Sequence, residues 1–207
     1  MLVRLHIWRR SLFFKRRCTD ISAKLKAAKN IPFVGNTKII FSWLPDGFTN
    51  HPNAMSMLPG LIVVNAEWAA RLTLLDDLDV ENAFRLTVGH EMTHQAGDYI
   101  FWEAFTKDRR FVNWVSEVHA DYGGAKLAFD GRVEEAVWAV RYKAKERKKD
   151  RDSQGHPSWK RREEYLRVNT FGRDLICRIA EDVGCQNKIL IANVCDFYEE
   201  IALEGLK

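Results

Sequence analysis

The run His90-Glu91-Met92-Thr93-His94 constrains this chain more than any other, because two histidines four residues apart on a helix oblige the fold to bring a further ligand to them. Successive helical residues turn by about 100°, so an i,i+4 pair nearly eclipses and both imidazoles can reach one metal ion from one face. Glu91 projects from a neighbouring position, better placed to accept a proton from a metal-bound water than to become a ligand. The surrounding stretch reads as a helix. Asp79 stands at an N-cap position, Glu81 falls in the first turn, and Gly97 offers a stop. Val80, Phe84 and Val88 recur every four residues as a stripe facing a core. A surface helix that happens to carry two histidines is the plain alternative, and the five residues alone do not separate the two readings.

A catalytic zinc takes three protein ligands and keeps a position open for water. The sequence supplies a third ligand in Trp114-Val115-Ser116-Glu117-Val118-His119-Ala120-Asp121, where Glu117 and Asp121 are again i,i+4 and share a helical face. Glu117 completes a His/His/Glu set, and Asp121 is placed to hydrogen-bond the far nitrogen of a ligand imidazole, His90, fixing its tautomer. The flanking Trp114, Val115, Val118, Ala120, Ala125 and Leu127 are apolar or small, so this helix is expected to be buried, where unpaired carboxylates are costly. His119, two residues from Glu117, points to the other side of the helix and reads as structural.

His90 to His94 with Glu117 to Asp121 resembles the gluzincin metallopeptidases, and further features resemble the M48 peptidases among them. Members of that family carry a glycine three residues past the aspartate, as Gly124 is here, and a later His-Pro segment followed by an arginine and a leucine, as in His156-Pro157-Ser158-Trp159-Lys160-Arg161-Arg162-Glu163-Glu164-Tyr165-Leu166. Asn53-Ala54-Met55 followed by Leu61-Ile62-Val63-Val64 is similar to the family's strand pair before the HExxH helix. The resemblance runs from about Asn53 to Leu166, over half the chain. It implies His156 as a donor to the oxyanion of the transition state, and Asn53, Ala54 and Met55 as an edge that pairs with an extended substrate. It departs at Glu163, where the family usually has an apolar residue, and at His119, where many members have an acidic one. Membrane members also insert long hydrophobic segments between the two active-site helices, whereas the connection here, residues 96–112, has room for a turn and a short helix but not for a spanning hairpin.

Length and composition fit a single domain: 207 residues, 46% hydrophobic, bury one core. No apolar run of about eighteen residues occurs, and arginines interrupt the apolar N-terminus, which argues against an integral membrane segment and a cleavable signal peptide. Cys18, Cys177, Cys185 and Cys195 are widely spaced without CxxC pairs, so reduced thiols in a cytoplasmic protein are the expectation. Residues 1–30 hold nine Lys or Arg against Asp20 alone, +8 of an overall +4, leaving −4 for the rest. With Trp8, Phe13 and Phe14 this basic helical segment suits peripheral contact with an anionic membrane or a nucleic acid, or a helix docked on the domain with its lysines outward. The run 141–151 mixes basic residues such as Lys148 and Lys149 with Glu146, Asp150 and the adjoining Asp152, and this mixed charge reads as a solvated helix end and mobile loop.

Beyond the 1–30 segment, residues 31–207 are expected to form one α+β domain, mostly helical and zincin-like, with a small β-sheet beside the HExxH helix. Strands are expected at 38–43 and 61–64, and helices at 66–75, 80–95, 113–129, 132–149, 158–169, 173–182 and 188–203. The chemistry expected is zinc-assisted peptide hydrolysis: Zn(2+) on His90, His94 and Glu117, Glu91 as general base, and a peptide or protein as substrate. Two other classes stay open, a metal-dependent regulator acting on one partner such as a repressor, and a non-catalytic membrane- or nucleic-acid-binding module.

Overall fold

The computed structural model describes residues 38–42, 54–58, 60–65, 68, 78–95, 107–146, 150–168 and 170–204. Strands β1 (Lys38–Ser42), β2 (Ala54–Leu58) and β3 (Leu61–Asn65) form one sheet in the order β1-β3-β2. The central β3 runs parallel to β1 and antiparallel to β2, so that Val63 pairs with Ile40 on one side and Met55 on the other. Its sequence Leu61-Ile62-Val63-Val64 is rich in β-branched residues, as suits a strand covered on both faces, and Ile62, Val63 and Val64 are buried. Gly60, at φ 81°, makes the β2–β3 turn in a conformation that a side chain would resist.

Among the described residues six helices follow: α1 (Leu78–His94), α2 (Arg109–Phe129), α3 (Val133–Glu146), α4 (Trp159–Leu166), α5 (Arg173–Val183) and α6 (Lys188–Glu204). The protein is thus an α+β chain, mostly helical with a small sheet. The expected stripe of α1 is its buried face: Val80, Phe84 and Val88, joined by Met92, pack against Ala54, Ile62, Val64 and Trp68. The first half of α2, through Phe111, Trp114, Val115 and Val118, packs on α5 and α6, and its last turn joins α3 and α4 through Ala128 and Phe129. His90, His94, Glu117 and Asp121 lie on α1 and α2, the helices that contribute to these clusters. His119 leaves the opposite side of α2 from Glu117 and packs against the rings of Phe171 and Tyr198, with centroids 5.0 and 4.7 Å away, as a structural histidine does.

α1 and α2 touch backbone to backbone. A Cβ on Gly89 would stand 3.0 Å from Gly124 Cα, and one on Gly124 would stand 2.9 Å from His90 N. Closeness here matters to the site, since Gly89 precedes His90 and Gly124 lies one turn beyond Asp121. Glycine at both positions lets ligands on two helices reach one point.

Several expected boundaries shift. α1 begins at Leu78, so Asp79 lies in its first turn instead of capping it, and α2 begins four residues earlier than expected, at Arg109. α4 ends at Leu166, three residues short of the expected Asn169. The mobile loop expected at the end of the run 141–151 is corrected at Asp150, which is fastened: it accepts from Trp159 N (2.7 Å) and Lys160 N (3.0 Å), and Asp152 just beyond accepts from Ser158 N (2.8 Å). These acidic residues tie down the amide end of α4, as well as balancing the basic run. Glu163, the departure from the family pattern, pairs with Arg141 at 2.8 Å and Arg167 at 3.1 Å at the surface. The 1–30 segment, Asn53, residues 96–106 with Gly97, and all of the helix expected at 66–75 except the helical Trp68 lie outside the described residues. Among the described residues no helix is long and apolar enough to cross a membrane, and Cys177, Cys185 and Cys195 are free thiols.

Candidate metal centre

The i,i+4 spacing works as helical geometry requires. His90 and His94 on α1 bring their Nε2 atoms to 3.1 Å, and Glu117 on α2 meets them with Oε2 3.4 Å from His90 Nε2 and Oε1 3.5 Å from His94 Nε2. Two imidazole nitrogens that close repel unless a proton or a cation lies between them. In a tetrahedron with bonds of about 2.0–2.1 Å, ligand atoms stand about 3.3 Å apart, so the observed edges match the size of a metal ion held by N and O donors. His90, His94 and Glu117 thus form a group able to hold a metal ion, and His90 and Glu117 are buried.

Behind the donors, Asp121 Oδ1 stands 2.9 Å from His90 Nδ1, the contact expected from the sequence. Arg162, on α4 and itself buried, donates from Nε to Asp121 Oδ2 at 2.7 Å and from Nη2 to Oδ1, with its guanidinium over the Trp159 ring. Arg162 Nη2 also lies 3.2 Å from His90 Nδ1. Both cannot donate to each other. With Nδ1–H given to Asp121, Nε2 keeps its lone pair for a metal, and the arginine serves the carboxylate alone. Arg162 Nη1 also reaches Glu117 Oε2 at 3.6 Å.

The electrostatics ask for a cation. Burial by itself pushes the His90 imidazolium down, but the Glu117 and Asp121 carboxylates outweigh it and carry the pKa up to about 9. Burial pushes Glu117 up, and His90, His94 and His156 more than reverse this, holding it well below the usual carboxylate range. Asp121, resisted by burial and held by Arg162 and His90, is drawn down to about 2. Two buried carboxylates against one guanidinium leave a net negative charge that either a proton on His90 or a metal ion can offset.

His156 arrives on the fastened loop. Trp114 Nε1 donates to Ser153 O at 3.0 Å, Ser153 and His156 close a tight turn through two mutual bonds of 2.9 Å, and Pro157 is buried behind it. His156 Nε2 thereby stands 3.4 Å from Glu117 Oε1, with its side chain 62% exposed. The ring lies against Glu117 and is not part of the donor group.

Glu91 is held from β2. Its Oε2 accepts from Ser56 N on β2 at 2.8 Å, which keeps this carboxylate outside the set of donors. Of the expected substrate-edge residues, Ala54 buries its side chain in the sheet–helix core, so only its backbone is available, and Met55 is part-buried. Three residues that matter to the site were not assigned from the sequence: Arg162, Ser56 and Gln95. Arg162 did leave a sign, since it falls with Trp159, Tyr165 and Leu166 on the buried face of α4. Ser56 and Gln95 left none.

Comparison with known proteins finds no matching family model, no matching curated protein and no matching solved structure.

Proposed function

We propose that the chain is a zinc-dependent metallopeptidase of the gluzincin type, similar to the M48 peptidases, hydrolysing peptide bonds with Glu91 as general base. The observation that carries this reading is the division of roles along α1. His90 and His94 aim their donors at Glu117, while Glu91, between them in sequence, keeps its carboxylate on the strand side. Two imidazoles and one carboxylate suit zinc better than magnesium or calcium, which favour all-oxygen sets.

Zinc in such a site supplies a Lewis acid that brings the pKa of a coordinated water toward neutrality. Glu91 would take the proton of a water attacking the scissile carbonyl and would return it to the leaving amine, with His90, His94 and Glu117 holding the metal. His156, beside Glu117, would donate an N–H to the developing oxyanion. Asp121 holds His90 in the tautomer that frees Nε2, and Arg162 holds Asp121. The backbone of β2 offers an edge along which an extended peptide can lie.

The test is Glu91→Gln in zinc-loaded protein, assayed on casein and on a mixed fluorogenic peptide pool. The variant is expected to keep its metal and fold and lose nearly all hydrolysis, because an amide cannot take the water's proton. Unchanged turnover would remove Glu91 from the chemistry, and a zinc-loaded wild type that cleaves neither probe contradicts a general peptidase.

A further inference from the structure

α1 and the residue that follows its last turn, Gln95, carry two i,i+4 pairs offset by one residue. His90 and His94 face Glu117; Glu91 and Gln95 face the β2–β3 hairpin. The buried Gln95 amide is engaged at both ends. Oε1 accepts from Gly60 N at 2.6 Å, and Nε2 donates to Ser56 Oγ and, at 3.3 Å, to Leu61 O. Ser56 is thus gripped twice from one helix: its hydroxyl by Gln95 and its main-chain N–H by Glu91.

We propose that Gln95 is a positioning residue for Glu91. By fastening Ser56 and the β2–β3 turn to the end of α1, it sets where the Ser56 N–H stands, and that N–H holds the Glu91 carboxylate clear of the three metal donors. The role rests on reading Glu91 as the base. A carboxylate next to a buried group that attracts cations has every electrostatic reason to join it as a fourth ligand, filling the position water needs. The Ser56 N–H offers a competing partner whose location is fixed because the hairpin cannot slide along α1 while Gln95 spans Gly60 and Leu61. An amide is required at this position. A glutamate there could accept from Gly60 N–H but, ionised, could not donate to Ser56 Oγ or Leu61 O. It would also place a like charge one turn from Glu91.

The experiment is amide hydrogen exchange on zinc-loaded wild type, Gln95→Met, Gln95→Glu and Glu91→Ala, followed by zinc affinity and hydrolysis of the fluorogenic peptide pool. Ser56 N–H should exchange at least about tenfold faster in all three variants, as its hydrogen bond is lost or displaced. Gly60 N–H should exchange faster in Gln95→Met only. Both Gln95 variants should bind zinc as tightly as wild type or more tightly, while kcat falls on the order of ten- to a hundred-fold with little change in KM. A purely structural role would weaken zinc binding along with turnover. Added to Glu91→Gln, Gln95→Met should cost no further activity. If Gln95→Met does not fold, Gln95→Glu decides. Unchanged Ser56 exchange in a folded Gln95 variant, or full loss of zinc, overturns the proposal. If wild type hydrolyses nothing, the peptidase reading fails, and the exchange pattern still decides whether Gln95 places Ser56 and Glu91.

Discussion

Among the arginine–aspartate contacts of the described residues, three at hydrogen-bonding distance lie in different surroundings. Arg162 and Asp121, behind the metal donors, are 6% and 1% exposed; Arg161 and Asp152, at the start of α4, are 28% and 26% exposed at 3.0 Å; Arg173 and Asp196, between α5 and α6, are 45% and 69% exposed at 2.7 Å. Arg173 also reaches Glu199 at 2.9 Å, and its partners raise its pKa, yet water screens the whole group. Contact distance therefore says little about consequence. At the surface, ions give up little hydration and gain little; in the buried pair, each charge depends on the other, and removing one strands its partner.

The largest effect is expected for Arg162→Met, which leaves Asp121 ionised and short of its main partner. Chemical denaturation of metal-free protein should show a loss of about 3–5 kcal/mol. Asp121→Asn added to it should lose less than the sum of the two single changes, because the pair is one unit. Full stability in Arg162→Met would show that burial does not set the scale. Gly124→Ala leaves all charges in place and tests the helix approach by itself. Its Cβ meets the backbone of His90, so a cost of about 1–3 kcal/mol is expected, together with weaker zinc binding measured by chelator competition. Zinc binding equal to wild type would show that the two helices have slack.

Asp152 is the intermediate case. Burial pushes its pKa up, and the Ser158 N–H and Arg161 outweigh this, holding it below its ordinary 3.8. A depressed carboxylate contributes stability that is present above the unfolded-state value and lost as pH falls through the folded-state value. Asp152→Asn should therefore cost about 1 kcal/mol at pH 7, and the difference from wild type should shrink toward pH 3 in urea melts. A difference that does not change with pH would assign the effect to hydrogen-bond geometry instead of charge. The smallest effect belongs to Arg173→Ala, whose denaturation midpoint should stay close to that of wild type. A marked fall there would break the ranking by burial.

What could be read in the sequence follows the same division between local spacing and long-range placement. His90, His94, Glu117 and Asp121 were legible because helical geometry fixes an i,i+4 relation before any tertiary contact exists, and the Val80, Phe84 and Val88 stripe told which side of α1 was covered. Arg162 was harder to assign. In Lys160-Arg161-Arg162 only the phase of α4 decides which cation turns inward, and that phase is set by Trp159 and Tyr165 finding the core. Asp150 and Asp152 looked like counter-charges to a basic run, because their part as partners of the first amides of α4 depends on where that helix starts. Ser56 and Gln95 were invisible: their contact joins a hairpin to a helix across 39 residues, and neither residue type announces it.

The central claim is that His90, His94 and Glu117 hold a metal together. The most direct measurement is elemental analysis with zinc titration of the purified wild type and of Glu117→Ala, the latter checked to be folded by circular dichroism. About one zinc per chain in wild type, with binding weakened by orders of magnitude in the variant, is the expected result. No transition metal in wild type even after zinc is supplied, or full and equally tight zinc in Glu117→Ala, would contradict it.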